Sequence, residues 1–87
     1  MFYVYILHLI KTNKIYTGST QSLKIRIRQH LSNKVLSTKH KDPKLIYYEA
    51  YRIKSDAQRR ERFLKTTEGK RLLKQQLRDL FTEIEYL

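Results

Sequence analysis

Two apolar-aromatic runs, one short polar turn apart, constrain this chain more than any other feature. Phe2-Tyr3-Val4-Tyr5-Ile6-Leu7 is rich in β-branched and aromatic residues and reads as a buried strand. Lys11-Thr12-Asn13-Lys14 is a polar turn, and Ile15-Tyr16-Thr17-Gly18-Ser19 reads as the returning strand of a hairpin. Gly18 is expected to end that strand, where the missing side chain lets another backbone or a phosphate come close. Ser22 is expected to N-cap a helix running to about residue 32. In that helix Leu23, Ile27 and Leu31 form one apolar stripe, with Lys24, Arg26, Arg28 and His30 elsewhere.

The remainder alternates in the same way. Residues 32–44 are polar and basic and read as a loop over the surface, followed by a third strand over residues 45–51. Ser55 and Gln58, three apart, form a capping-box signature that opens a helix to about residue 65. Thr67 is expected to cap one last helix, with Leu73, Leu77, Leu80 and Ile84 on a single stripe and Gly69 in its first turn. The order ββαβαα predicts one α+β domain over residues 1–87: a small, mainly antiparallel three-stranded sheet flanked by helices.

Charge then narrows the partners. Nineteen Lys and Arg against eight Asp and Glu give a formal net charge of +11, and 40% of the residues are hydrophobic, enough for a globular core. Such a field favours polyanions, nucleic acid first and an anionic membrane surface second. The apolar stripes are needed for the core, which argues against the membrane. There are no cysteines, so disulfides and thiolate zinc sites are excluded. His8, His30 and His40 are scattered, without metal-ligand spacing. No apolar stretch reaches the ~20 residues of a membrane span, and residues 1–10 lack the marks of a signal peptide, so a cytoplasmic location is expected.

Certain residues carry chemistry. Glu61 shares the inward stripe of its helix with Ala57 and Leu64, amid Arg59, Arg60, Arg62 and Lys65. A carboxylate so placed either pairs with a cation such as Arg26 or Arg60, or holds Mg²⁺ (or Mn²⁺), which accepts one protein carboxylate beside water and phosphate. Arg26 and His30 lie four apart on one helix face. That face is either a solvated basic surface or a phosphate clamp, with His30 orienting a phosphate or moving a proton. Among seven tyrosines, Tyr16 stands out beside Gly18. A phenol titrates near ~10, but an adjacent metal ion and Arg favour the phenolate and let it take a proton from water. Tyr5 on the facing strand would support Tyr16 by a hydrogen bond.

Taken in order, these residues resemble the GIY-YIG nuclease family, most closely its small, stand-alone bacterial members. The resemblance covers nearly the whole chain. It implies that Tyr5 matches the tyrosine of the first motif, Tyr16 the general base of the second, and Gly18 its closing glycine. Arg26 then matches the catalytic arginine, His30 the histidine one turn later, and Glu61 the single metal-binding glutamate, in Ala57-x-x-Arg60-Glu61-x-x-Leu64-Lys65. Tyr3 replaces the first glycine of the first motif and Thr17 the isoleucine of the second, and neither change removes a reactive group. The asparagine that some members carry after the glutamate is not evident, since Thr66 and Thr67 follow Lys65.

The implied function is a Mg²⁺- or Mn²⁺-dependent endonuclease on DNA, structure-selective, in repair or recombination, acting as a monomer or homodimer. Gly18, Arg28, Lys39, Lys41, Arg60 and Lys65 are the expected nucleic-acid contacts. The alternative is a basic nucleic-acid-binding module without turnover on the same fold, with RNA among its ligands.

Overall fold

β1 (Phe2–Leu9) is the central strand, hydrogen-bonded along both edges and buried over most of its length. In the computed structural model, which describes residues 1–86, it pairs antiparallel with β2 (Lys14–Thr20) on one side and β3 (Pro43–Tyr51) on the other. Strand order is β2-β1-β3, so the sheet is three-stranded and wholly antiparallel. Both β2 and β3 are edge strands. Period-two alternation sends Val4 and Ile6 to one face and Tyr5, Leu7 and Leu9 to the other.

Helices cover the two faces separately. The first face carries α2 (Lys54–Leu64), α3 (Thr67–Gln76) and α4 (Arg78–Glu83), whose Ala57, Leu64, Leu73 and Phe81 close the main core over Val4 and Ile6. The second face carries α1 (Leu23–Leu31), where Leu23 and Ile27 pack against Tyr5, Leu7 and Leu9. Leu31, expected on that stripe, is 59% exposed, and fully buried His30 takes the inward position beside it. The loop after α1 contains a 3₁₀ turn, Leu36–Thr38, whose Thr38 is also fully buried. That loop is thus pinned to the body rather than draped over it.

Several boundaries differ from the sequence reading. Gly18 does not end β2, which continues to Thr20, and β3 begins two residues early, at Pro43. A proline is tolerated at the start of an edge strand, where no ladder hydrogen bond is lost. Ser22 occupies the N-cap of α1 without capping through its side chain; its N–H donates to Thr20 Oγ1 at 3.1 Å. The capping box at Ser55 does not form, because α2 starts two residues earlier, after Ile53. Thr66 rather than Thr67 caps α3, its Oγ1 accepting from the Gly69 N–H at 3.0 Å. Gly69 itself is required by close approach, since a Cβ there would collide with the Phe63 carbonyl. The expected single last helix breaks at Leu77, which caps α3 and opens α4 while keeping the apolar stripe.

One ion pair fastens α2 to the sheet. Glu49 on β3 accepts a fork from Arg60 (Nε 2.9 Å, a second nitrogen 3.0 Å), and also the hydroxyls of Tyr47 (2.7 Å) and Tyr51. Burial acts to raise the Glu49 pKa, but the bonds from Arg60, Tyr47 and Tyr51 outweigh it and hold the carboxyl below its ordinary value. Burial and the adjacent carboxylate push both phenols up to about 12. Arg60 neighbours Glu61 in the chain, so this anchor also sets where Glu61 stands on the sheet.

Candidate active site

The candidate residues gather around edge strand β2, some on each face of the sheet. Tyr5 and Gly18 are direct partners in the β1–β2 register, and Tyr16 partners Leu7 two residues away, so all four share the α1 face. A Cβ at Gly18 would overlap the Tyr5 phenol. The missing side chain is therefore filled by Tyr5, not left open for a phosphate, and Gly18 is buried. With that space available, the Tyr5 phenol sits over Gly18 and reaches α1.

There it meets His30. The Tyr5 hydroxyl and His30 Nε2 are 2.8 Å apart, His30 Nδ1 and Thr38 Oγ1 are 2.8 Å apart, and Thr38 Oγ1 donates to the Val35 carbonyl at 3.4 Å. One proton arrangement satisfies the whole chain: Tyr5 O–H donates to Nε2, and Nδ1–H donates to Thr38. His30 is then neutral, and burial, aided by the Arg26 charge, lowers its pKa to about 4. It has no exposed surface, which corrects the expectation of an imidazole on a solvated face. His30 positions Tyr5 and does not touch solvent. Tyr5, expected to bond to Tyr16, is bonded to His30 instead.

Tyr16 completes an aromatic triangle. Its ring centroid lies 5.1 Å from His30 and 6.3 Å from Tyr5, and Tyr5 to His30 is 5.5 Å. Unlike the other two it is half-buried, with a path to solvent. Arg26, one turn before His30, stands beside both phenols, and its contact with Tyr5 raises its own pKa, keeping it cationic. Its guanidinium is steadied by Gln29 Oε1 at 2.9 Å. For Tyr5, burial raises the phenol pKa against the lowering pull of Arg26, so it stays protonated near neutrality.

Glu61 approaches from the other face. Ser19, the partner of Val4 in the register, points toward α2 and donates to Glu61 Oε1 at 2.8 Å. Lys65 Nζ lies 3.1 Å from Oε2. Neither cation expected to pair with Glu61 does so: Arg60 is committed to Glu49 and Arg26 lies on the opposite face. Glu61 is nonetheless close enough to bear on Tyr5 ionisation, across the thin edge at Gly18 and Ser19. Among the described residues no cluster of three or more His, Asp or Glu forms a metal cage. A single half-buried carboxylate fits a Mg²⁺ that keeps most of its waters and shares a substrate phosphate, once Lys65 gives way.

The expected nucleic-acid contacts divide. Arg28 and Lys39 are exposed and Lys65 lies at Glu61. Lys41 Nζ donates to the Ser37 carbonyl at 3.0 Å and shapes the basic loop. Gly18 and Arg60 are removed from this role, one covered by Tyr5 and the other bound to Glu49. Ser19, Thr38, Gln29 and Glu49 were missed by sequence reasoning. Only Ser19 left a signal, since alternation from Tyr16 sends it to the face of the inward Glu61.

A family model described as the GIY-YIG catalytic domain matches residues 1–75. The chain is also similar to the UPF0213 protein of Staphylococcus haemolyticus, 40% identical over 74 residues that cover 83% of this chain and 89% of the relative. No solved structure matches it. All the residues of the site, through Glu61 and Lys65, fall within the matched span.

Proposed function

This chain belongs to the GIY-YIG family, a family of nucleases, and from that premise we propose that it is a metal-dependent endonuclease cutting DNA of particular structure. The observation that carries this reading is that Tyr16, Arg26 and Glu61 come from three separate elements to the β2 edge, each near enough to act on the Tyr5 phenol, Glu61 from the opposite face. A binding surface has no need of an inward carboxylate across the edge from two phenols and a guanidinium.

The chemistry assigns each group one task. Tyr16, half-exposed beside Arg26, takes a proton from the attacking water. The electron pair of that water forms a bond to phosphorus as the bond to the 3′ oxygen breaks in line, leaving a 5′ phosphate and a 3′ oxygen that takes a proton from solvent to become a hydroxyl. Arg26 presents its fork to the phosphoryl oxygens and offsets their growing charge. Glu61, oriented by Ser19, would hold Mg²⁺ or Mn²⁺, which supplies Lewis-acid polarisation of the phosphate and a more acidic water. Tyr5, His30 and Thr38 keep the α1 side rigid behind Tyr16 and Arg26. Lys65 shields Glu61 until substrate and ion arrive.

An 87-residue domain has little surface for reading a long base sequence, which favours branches, flaps and ends over a defined site, and a role in repair or recombination. The test is a labelled panel of single-stranded, duplex, flap and branched DNA, incubated with Mg²⁺, Mn²⁺ or EDTA beside Glu61→Ala. Metal-dependent cleavage lost in the variant supports the reading. The Lys65–Glu61 contact favours a second reading, a basic binding module whose carboxylate is merely neutralised. It predicts salt-sensitive binding, equal in both proteins, and no cutting with any metal.

A further inference from the structure

On the α1 face, next to the cluster just described, lies a groove of about 720 Å³ that the reaction does not use. Tyr3 and Tyr48 line its sheet side, Ile25 and Ile27 its helix side, and Lys24 and Arg28 also border it. Tyr48 is 52% exposed and Ile25 55%, although both are large and apolar. The Tyr3 and Tyr48 rings meet edge to face at 6.1 Å, a geometry that leaves ring surface open for another planar group.

The register ties this groove to the cluster. Tyr48 is the direct partner of Tyr5 across β1 and β3, and Tyr3 precedes Tyr5 by two residues on the same face, about 7 Å along the strand. Arg26 projects from α1 between Ile25 and Ile27 in sequence. Arg26 contacts the Tyr5 phenol, and Tyr5 is the strand partner of Tyr48, so the groove adjoins the place where Arg26 would hold a phosphate. A groove with aromatic and aliphatic walls bordered by two cations, in a chain of net charge +11, complements an anionic strand that carries flat apolar faces.

We propose that the Tyr3–Tyr48 groove is a stacking site for one unpaired nucleobase adjacent to the cleaved phosphodiester. The proposal rests on the nuclease reading and deepens it. A base seated there is withdrawn from its helix, so the substrate is single-stranded at the scissile position: a flap, an overhang or a junction arm. Stacking on tyrosine takes any base, which makes the selection one of structure rather than sequence.

The probe is a short single strand carrying the fluorescent adenine analogue 2-aminopurine, with a blunt duplex of the same sequence for comparison, both bound in EDTA. The wild-type protein should quench the single-strand probe. Tyr48→Ala should remove that quenching and lower the ratio of single-strand to duplex affinity by about tenfold, within the range for one stacked base. Tyr48→Trp should restore both. An unchanged ratio, an equal loss for single strand and duplex, or a Tyr48→Ala protein that changes from dimer to monomer in sedimentation would overturn the proposal. Cleavage separates it from the nuclease reading. Wild-type cutting in Mg²⁺ with the same flap-to-duplex preference in Tyr48→Ala defeats the stacking site alone. Quenching without any cutting by the wild type defeats the nuclease reading and leaves a base-binding module.

Discussion

A Cβ at Gly18 would enter the space of the Tyr5 phenol, so Gly18→Ala is expected to displace Tyr5 from its bond with His30. A displacement near 1 Å of a positioned group costs on the order of 100-fold in rate. Gly18→Ala is expected to lose about that much in single-turnover cleavage while its far-UV circular dichroism stays native. His30 makes a separate prediction about pH. Its pKa is lowered from 6.5 to about 4, so the unfolded chain takes up a proton before the folded one does. The contribution of this residue to stability is therefore full above pH 6.5 and falls as pH drops toward about 4. Urea unfolding across that window should show the slope in the wild type and a flatter one in His30→Gln. An equal slope in both would mean that His30 is not the neutral, buried group described. Arg26 and His30 were legible from their i, i+4 spacing, but not the direction of that face. Spacing gives a common face; whether it meets water depends on Tyr5 and Thr38, which arrive from β1 and the loop.

Among the elements, the strands and their pairing followed from β-branched and aromatic runs around one polar turn. Helix ends did not follow, because capping signals repeat. Ser55 and Thr67 each carry a capping side chain, but the cap falls two positions before the first, at Ile53, and one before the second, at Thr66. The break at Leu77 was hidden because the Leu-rich stripe stays in phase on either side of it. These assignments can be checked pairwise. Thr66→Ala removes the bond to the Gly69 N–H and should cost about 1 kcal/mol in denaturant unfolding, whereas Ser55→Ala should change stability by under about 0.5 kcal/mol. The reverse order would place the capping box where the sequence suggested it. The anchor of Arg60 on Glu49 was likewise illegible. Four arginine and lysine residues surround Glu61 in sequence, and only the β3 register shows which one reaches across to the sheet.

For the molecule as a whole, the site is an edge phenomenon. A sheet of three strands places β2 at its rim, where α1 on one face and α2 on the other both reach the same backbone without passing through the core. That explains how a chain of 87 residues can assemble reactive groups from a strand and two helices and still keep a core. The α1 side is locked by buried hydrogen bonds, whereas Glu61 on the α2 side is held by Ser19 and a half-exposed lysine. No helix among the described residues is long and apolar enough to cross a membrane, and the positive charge is distributed along the chain in the way a polyanion partner requires. Tyr16 is the group proposed to take the proton from the attacking water at this edge. Tyr16→Phe removes one oxygen and keeps the ring that packs on Tyr5 and His30. Single-turnover cleavage of a flap substrate in Mg²⁺, with affinity measured in parallel, should fall by about 10²–10⁴ in rate at unchanged affinity. A variant that cuts at the wild-type rate would mean that Tyr16 is not the base.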